Sequence, residues 1–431
     1  MTEHDLTSRP TVTERDARRV AFGAFVGTAL EWYDFFLFGT AASLVFNRLF
    51  FVSGNPAAAT AGAFATFAVG FLARPVGGIL FGHLGDRIGR RTCLIVTVVM
   101  IGVVTGLIGL LPTYVDIGVA APVLLTALRL LQGIAVGGEW GGAVTLAVEH
   151  APPEKRGRYA AMPQVGSPIG TLLSSGAFLV VALLPPEDFD AWGWRLPFLA
   201  AFPLLLVALY LRRRVEESPL FAQLLAEDAR ASSPVLEVVR RAWPALLVGA
   251  GTAFLGVGGF YLVTTFVISY ATAELGVPRS LILTATLVAA AVEIVVLLVG
   301  GRLGERFGAA RVTVVGGIAS ALGALPMFWL IDTTNAVLVI LAVTVGVALL
   351  SIPYAVSGDL LAHLFPARLR YSGIALAANV AGVASGFVPL AATGTLALAG
   401  GSSWGPGLLL VVIALITTLT ALAAPRLYVR S

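Results

Sequence analysis

No charged side chain occurs between Arg370 and Arg426. A spanning helix needs roughly 20 apolar residues, so the run from Tyr371 to Pro425 holds two of them, joined at Gly400-Gly401-Ser402-Ser403-Trp404-Gly405-Pro406. Comparable uncharged runs cover Thr92 to Val115, Tyr159 to Pro186, Ala245 to Ala273 and Thr333 to Gly358. Hydrophobic residues make up 58% of the chain and charged ones 12%, with a mean hydropathy of +0.91. That balance excludes an ordinary soluble domain and places most of the chain in lipid.

Segmentation predicts an all-α integral membrane protein with twelve transmembrane helices in two pseudo-symmetric six-helix bundles. The spans are 20–45, 60–82, 92–111, 119–148, 157–184, 194–211, 244–273, 279–300, 311–331, 334–363, 371–399 and 403–424. The expected domains are a tail over 1–19, a first bundle over 20–211, a soluble linker over 212–243, a second bundle over 244–424 and a tail over 425–431. The linker carries Arg212-Arg213-Arg214 and Ser232-Ser233-Pro234. With both termini cytoplasmic, all but Arg48, Arg74, Arg129, Arg195 and Arg279 of the 28 lysines and arginines fall at the inner side, as retention of positive charge requires. A multi-pass protein of the plasma membrane is expected, working as a monomer. The net charge of +4 then expresses topology, with no nucleic-acid partner implied. The first 19 residues lack an apolar h-region, so a cleaved signal peptide is not expected. The single cysteine, Cys93, excludes an intrachain disulfide and a cysteine metal cluster, and no metal or cofactor is expected.

The two halves are related. Gly82-His83-Leu84-Gly85-Asp86-Arg87-Ile88-Gly89 and Gly301-Arg302-Leu303-Gly304-Glu305-Arg306-Phe307-Gly308 share a pattern about 219 positions apart, each after a long apolar segment. Glu149 to Arg158 after span four likewise echoes His363 to Gly373 after span ten, with Pro153 matching Pro366 and Arg156 matching Arg370. Parallel six-helix repeats with a midplane site between them are a transporter architecture.

The first Gly-rich turn, extended by Arg90-Arg91, resembles the signature of the major facilitator superfamily. Glu31-Trp32-Tyr33-Asp34-Phe35-Phe36, Arg74-Pro75-Val76-Gly77-Gly78, Arg129-Leu130-Leu131-Gln132-Gly133 through Gly137-Gly138-Glu139-Trp140-Gly141-Gly142, and Phe365-Pro366 with Arg370-Tyr371-Ser372-Gly373 look like its metabolite:proton symporter family. The resemblance covers nearly the whole chain. It implies uptake of a small organic acid or zwitterionic osmolyte driven by the proton gradient. It also marks a departure: the position two before Phe365-Pro366 is usually acidic there and is His363 here, whereas the corresponding Glu149 is retained. A cytoplasmic gate of Glu149, Arg156, Glu305, Arg306, His363 and Arg370 is expected, and His363 either weakens that latch or is a neutral replacement. Gly82, Asp86, Arg87, Gly89 and Arg90 form the expected conformational switch, with the glycines relieving crowding and Asp86 capping a helix.

Ionisable residues within lipid carry the mechanistic reading, because each is costly and faces a cavity or a partner. At about 1.5 Å per helical residue, Asp34 and Arg129 lie at roughly 21 to 30 Å from the inner ends of their spans, and Glu31, Arg74 and Glu139 at roughly 12 to 17 Å. The upper layer suggests an Asp34–Arg129 pair, similar to the proton-coupling pair of sugar porters, with a purely structural pair as the competing reading. Glu31 lies one turn from Asp34 and is grouped with the coupling residues. In the lower layer the planar fork of Arg74 suits a substrate carboxylate, with a permanent Arg74–Glu139 bridge as the alternative. With Glu293, four acids and two arginines sum to −2, so at least one carboxyl is expected to be protonated at rest; Glu293 has no evident partner and is assigned no transport role.

Tyr33, Gln132, Gln164, Tyr261, Tyr270, Tyr354 and Asn379 lie inside spans as polar candidates for substrate contact, and Gln164 and Asn379 stand out because they sit near Pro and Gly breaks. Proton symport is the favoured reading. Proton-coupled antiport is the alternative, since Gly166-Ser167-Pro168-Ile169-Gly170 faintly resembles an antiporter element with its order changed. An enzyme is not expected: His4, His83, His150 and His363 lie in the tail or loops, and no phosphate-binding Walker motif is present.

Overall fold

A computed structural model describes residues 14–52, 54–88, 90–137, 156–213 and 234–428. Six long helices precede the linker: α1 Glu14–Ala41, α2 Pro56–Ile88, α3 Arg90–Gly109, α4 Ala120–Val136, α5 Arg156–Val181 and α6 Ala201–Arg213. Six follow it: α7 Trp243–Glu274, α8 Arg279–Phe307, α9 Ala309–Asp332, α10 Ala336–Leu364, α11 Ala367–Gly386 and α12 Trp404–Ala423. Each lies on one of the twelve predicted spans, and among the described residues eight helical segments are long and apolar enough, by length and composition, to cross a membrane. Helices suit lipid because each bonds its backbone groups within its own segment.

The helices outrun their apolar segments. Arg302, Glu305 and Arg306 were expected in a Gly-rich turn, yet α8 stays helical to Phe307 and the chain reverses at Gly308, whose φ is 87°. The backbone keeps its hydrogen bonds for two further turns while the charged side chains extend outward. α2 likewise continues to Ile88. In the predicted linker, Pro234–Arg241 is helical; residues 214–233 lie outside the described residues.

Glycines set the close contacts within the first half. A Cβ at Gly166 or Gly170 would strike the backbone of α1 at Ala29 or Tyr33, and one at Gly133 or Gly137 would strike the carbonyls of Gly70 or Arg74. Such backbone approach is how membrane helices pack where lipid supplies no hydrophobic drive. α4 is thereby pressed onto α2 at the level where both carry an arginine.

The two bundles meet mainly along α5 with α8 and along α2 with α11. Near the predicted outer end, Ser43 Oγ donates to the Thr265 carbonyl at 2.8 Å, and the Arg279 guanidinium lies 4.8 Å from the Phe189 ring. Deeper in, Gln164 Nε2 donates to Ser357 Oγ at 3.2 Å. Each half also locks its own outer end. Arg48 grips both oxygens of Asp190 at 2.7 Å in the first, while Asp332 accepts from Tyr270 at 2.7 Å and Ser403 at 2.5 Å in the second. Between α3 and α4, the Thr113 backbone N–H holds the Asp116 carboxyl below its ordinary range.

Candidate functional site

α1 brings its two acids to the two arginines of α2 and α4. Glu31 and Asp34 are one residue short of a full turn apart, so both face inward; they are 4% and 2% exposed, and Arg74 and Arg129 are 9% and 0% exposed. Charge this deep persists only with partners.

Asp34 Oδ1 accepts from Gln132 Nε2 at 2.5 Å and from Thr105 Oγ1, and Gln132 Oε1 accepts from Arg129 Nη1. The predicted upper pair is therefore not a direct ion pair: one amide stands between the carboxylate and the guanidinium and speaks to both. Asp34 Oδ2, Arg129 Nε and Arg129 Nη2 are buried without a hydrogen-bond partner. Aromatic faces hold the rest of Arg129, whose Cζ lies 4.3 Å from the Phe38 ring and 4.5 Å from that of Phe35. Gln132, expected at the substrate, bridges Asp34 and Arg129 in this arrangement.

In the lower layer Arg74 Nη2 and Glu31 Oε1 are 2.7 Å apart, and Arg74 Nε has no partner. Arg74 Cζ lies 4.3 Å from the Phe35 ring, so one phenyl ring contacts both guanidinium groups. Pro75 follows directly and cannot donate to the carbonyl four residues back, which loosens α2 beside its arginine. Glu139 lies outside the described residues, so the alternative Arg74–Glu139 bridge is not part of this geometry.

A cavity of about 50 Å³ opens beside Asp34, between α1, α3 and α6, with Leu30, Gly102, Thr105, Leu204 and Leu205 among its lining residues. It has room for a few waters.

A profile of the Major Facilitator Superfamily matches residues 24–389. The chain belongs to this superfamily. It is 39% identical to the shikimate transporter of Escherichia coli strain K12, over 97% of each chain. It is 35% identical to a glycine betaine/proline/ectoine/pipecolic acid transporter of Dickeya dadantii strain 3937, over 94% of this chain and 82% of that one. Among solved structures, a D-xylose–proton symporter shares the fold with a TM-score of 0.74 at 19% identity, over 96% of this chain and 98% of that one. This member of the superfamily is thus a multi-pass membrane transporter rather than an enzyme.

The remaining predicted residues of this facilitator separate into three groups. Tyr33 donates its hydroxyl to the Pro197 carbonyl at 2.6 Å and so ties α1 to the segment leading into α6, away from a substrate role in this conformation. Gln164 spans the two halves, and Asn379 is half-buried on α11, one turn from Gly382, which faces Arg74. At the predicted gate, Glu305 and Arg306 end α8, with Arg306 Cζ 5.1 Å from the Phe307 ring. His363 turns to its own half, with Nδ1 2.8 Å from the Asp359 carbonyl and its ring 5.4 Å from Tyr428. Gly89 and Glu149 lie outside the described residues, as do the side chains of Asp86, Arg87, Arg90, Arg156 and Arg370, and Gly82 lies within helical α2.

Sequence reasoning missed Thr105, Phe35, Phe38 and Phe71, whose ring lies 5.1 Å from Arg74 Cζ. The aromatic ones had a signal: Phe35 and Phe38 on α1 and Phe64, Phe67 and Phe71 on α2 recur at helical spacing beside the buried arginines. Thr105 had none, since a threonine in a membrane helix usually bonds its own backbone, as Thr105 also does to the Ile101 carbonyl at 2.8 Å.

Proposed function

We propose that this transporter imports a small carboxylate together with a proton, by alternating access between its two bundles. The observation that carries the reading is the paired arrangement on α1, with Asp34 linked through Gln132 to Arg129 and Glu31 bonded to Arg74. Every substrate printed in the names of the two relatives bears a carboxylate. Arg74 presents the planar fork that such a group requires, and an incoming carboxylate takes the place of Glu31 on it.

Coupling follows from hydrogen-bond chemistry. Ionised Asp34 is an acceptor for both Gln132 and Thr105; a proton enters at Oδ2, the oxygen without a partner. The neutral acid holds the amide more weakly, because charge-assisted bonds are roughly twice as strong as neutral ones. Arg129 then loses its hydrogen-bonded link to α1 and keeps its aromatic contacts there, while Phe35 passes the change to Arg74. Basic residues at the loop ends orient the chain with both termini cytoplasmic, and the Gly-rich ends of α2 and α8 act as the switch between inward and outward states.

Uptake into proteoliposomes under an inward proton gradient tests this. Accumulation of labelled shikimate, proline or glycine betaine that collapses with a protonophore supports symport. Gradient-driven release from preloaded vesicles, without accumulation, replaces it with export by antiport.

A further inference from the structure

Glu293 lies at the middle of α8, 0% exposed, with neither carboxyl oxygen hydrogen-bonded. Nothing in the coupling arrangement uses it. A side chain that desolvated is retained against its burial penalty when something satisfies it.

The surroundings are polar in a directed way. Leu297, one turn along α8, packs with Tyr354 and Ala355 of α10 and Val165 of α5; Leu287, in the other direction, lies opposite Gly176 of α5. Glu293 therefore stands opposite the α5 stretch between Val165 and Gly176, which carries buried Ser167, Thr171 and Ser174. From α10, Tyr354 packs on Leu297 one turn from Glu293, and its hydroxyl is buried without a hydrogen-bond partner. Gln164 Oε1 and the Tyr261 hydroxyl are also buried and unpartnered. The Tyr261 ring lies 5.3 Å from that of Phe71, whose face is 5.1 Å from Arg74 Cζ. Gln164 on α5, Tyr261 on α7, Glu293 on α8 and Tyr354 on α10 thus each bury a polar atom without a partner where the second half packs on the first.

The geometry points to Glu293, with Tyr354 and Gln164, as a subsite for the hydrogen-bond-donating end of the substrate, a hydroxyl or a protonated amine, opposite the carboxylate end held by Arg74. This rests on the reading of Arg74 as the carboxylate anchor. Glu293 supplies acceptor oxygens, Gln164 Oε1 a further one, and the Tyr354 hydroxyl either donates or accepts. A substrate held at both ends touches both bundles, so its binding closes them on each other.

Two matched ligand pairs test the subsite on the purified full-length protein in nanodiscs. Shikimate is compared with cyclohex-1-ene-1-carboxylate, which lacks the ring hydroxyls, and pipecolate with cyclohexanecarboxylate, which lacks the ring amine. In at least one pair the wild-type protein binds the donor-bearing member about tenfold tighter or more, the scale of a hydrogen bond to a charged group. Which pair does so separates hydroxyl from amine recognition. Glu293→Leu reduces that ratio to near one, and the near-isosteric Glu293→Gln, retaining one acceptor oxygen, leaves an intermediate ratio. A wild-type protein without preference in either pair overturns the proposal. So does a ratio that survives Glu293→Leu, or equal weakening of both members in Glu293→Gln protein with unchanged elution and melting. Arg74→Lys serves the other reading: unchanged affinity for all four carboxylates removes the anchor, whatever the ratios at Glu293.

Discussion

The two bundles share a helical plan and differ in charge. In the first, Glu31, Asp34, Arg74 and Arg129 are drawn around Phe35 on α1, α2 and α4, the last two of which glycine lets approach to backbone contact. In the second, the mid-span ionisable group among the described residues is Glu293, placed against hydroxyls rather than against an arginine. Duplication supplied the scaffold twice and the charge chemistry once. On the coupling proposed above, the half that titrates and the half that answers it are physically distinct, so a proton event in one is read as motion against the other.

Substitutions that remove the charge asymmetry have the largest expected effects. Asp34→Asn keeps an oxygen for Gln132 and Thr105 but carries no exchangeable proton. Gradient-driven accumulation falls to that of protein-free vesicles while substrate exchange without a gradient persists; accumulation at the wild-type level removes Asp34 from coupling. Arg74→Lys retains charge and loses the fork, so KM for carboxylates rises about 10- to 100-fold, the equivalent of one charged hydrogen bond. An unchanged KM makes the Arg74–Glu31 pair structural.

Smaller changes sharpen the comparison. Gln132→Leu leaves Arg129 buried without its hydrogen bond, lowering stability by about 1 to 3 kcal/mol and reducing accumulation more than exchange; denaturant unfolding in detergent and the paired transport assays measure both. Thr105→Val deletes one of two donors to Asp34 and costs about 1 kcal/mol, read as a shift of the transport pH profile with KM unmoved. Arg48→Ala breaks the outer pair of the first half, but its side chains are 39% and 30% exposed, so the loss is about 0 to 1 kcal/mol. A loss well beyond that in thermal melting would make the pair a gate between states rather than a surface contact.

Much of this was legible along the chain. The uncharged run from Tyr371 to Pro425 implies two helices, the repeated Gly-rich motifs imply two halves, and Glu31, Asp34, Arg74 and Arg129 are conspicuous as charges where lipid tolerates few. Counting helical rise even sorted these four correctly into two layers, because rise per residue is a local property. Partners were harder. Gln132 was read as a substrate contact, and its place between Asp34 and Arg129 depends on how α1 and α4 are rotated about their axes. Tyr33 adjoins Asp34 in sequence yet points to Pro197 on another element. Glu293 looked idle because its surroundings come from α5 and α10, which are distant in sequence.

What the sequence by itself determined is the solvent, the element type, the number of spans and the depth of each charge, since hydropathy and helical rise act within one segment. Only the tertiary structure decided which side chains meet. Helix rotation and crossing are set by backbone contacts such as Gly133 on Gly70 and Gly170 on Tyr33, and those depend on the shapes of two surfaces at once.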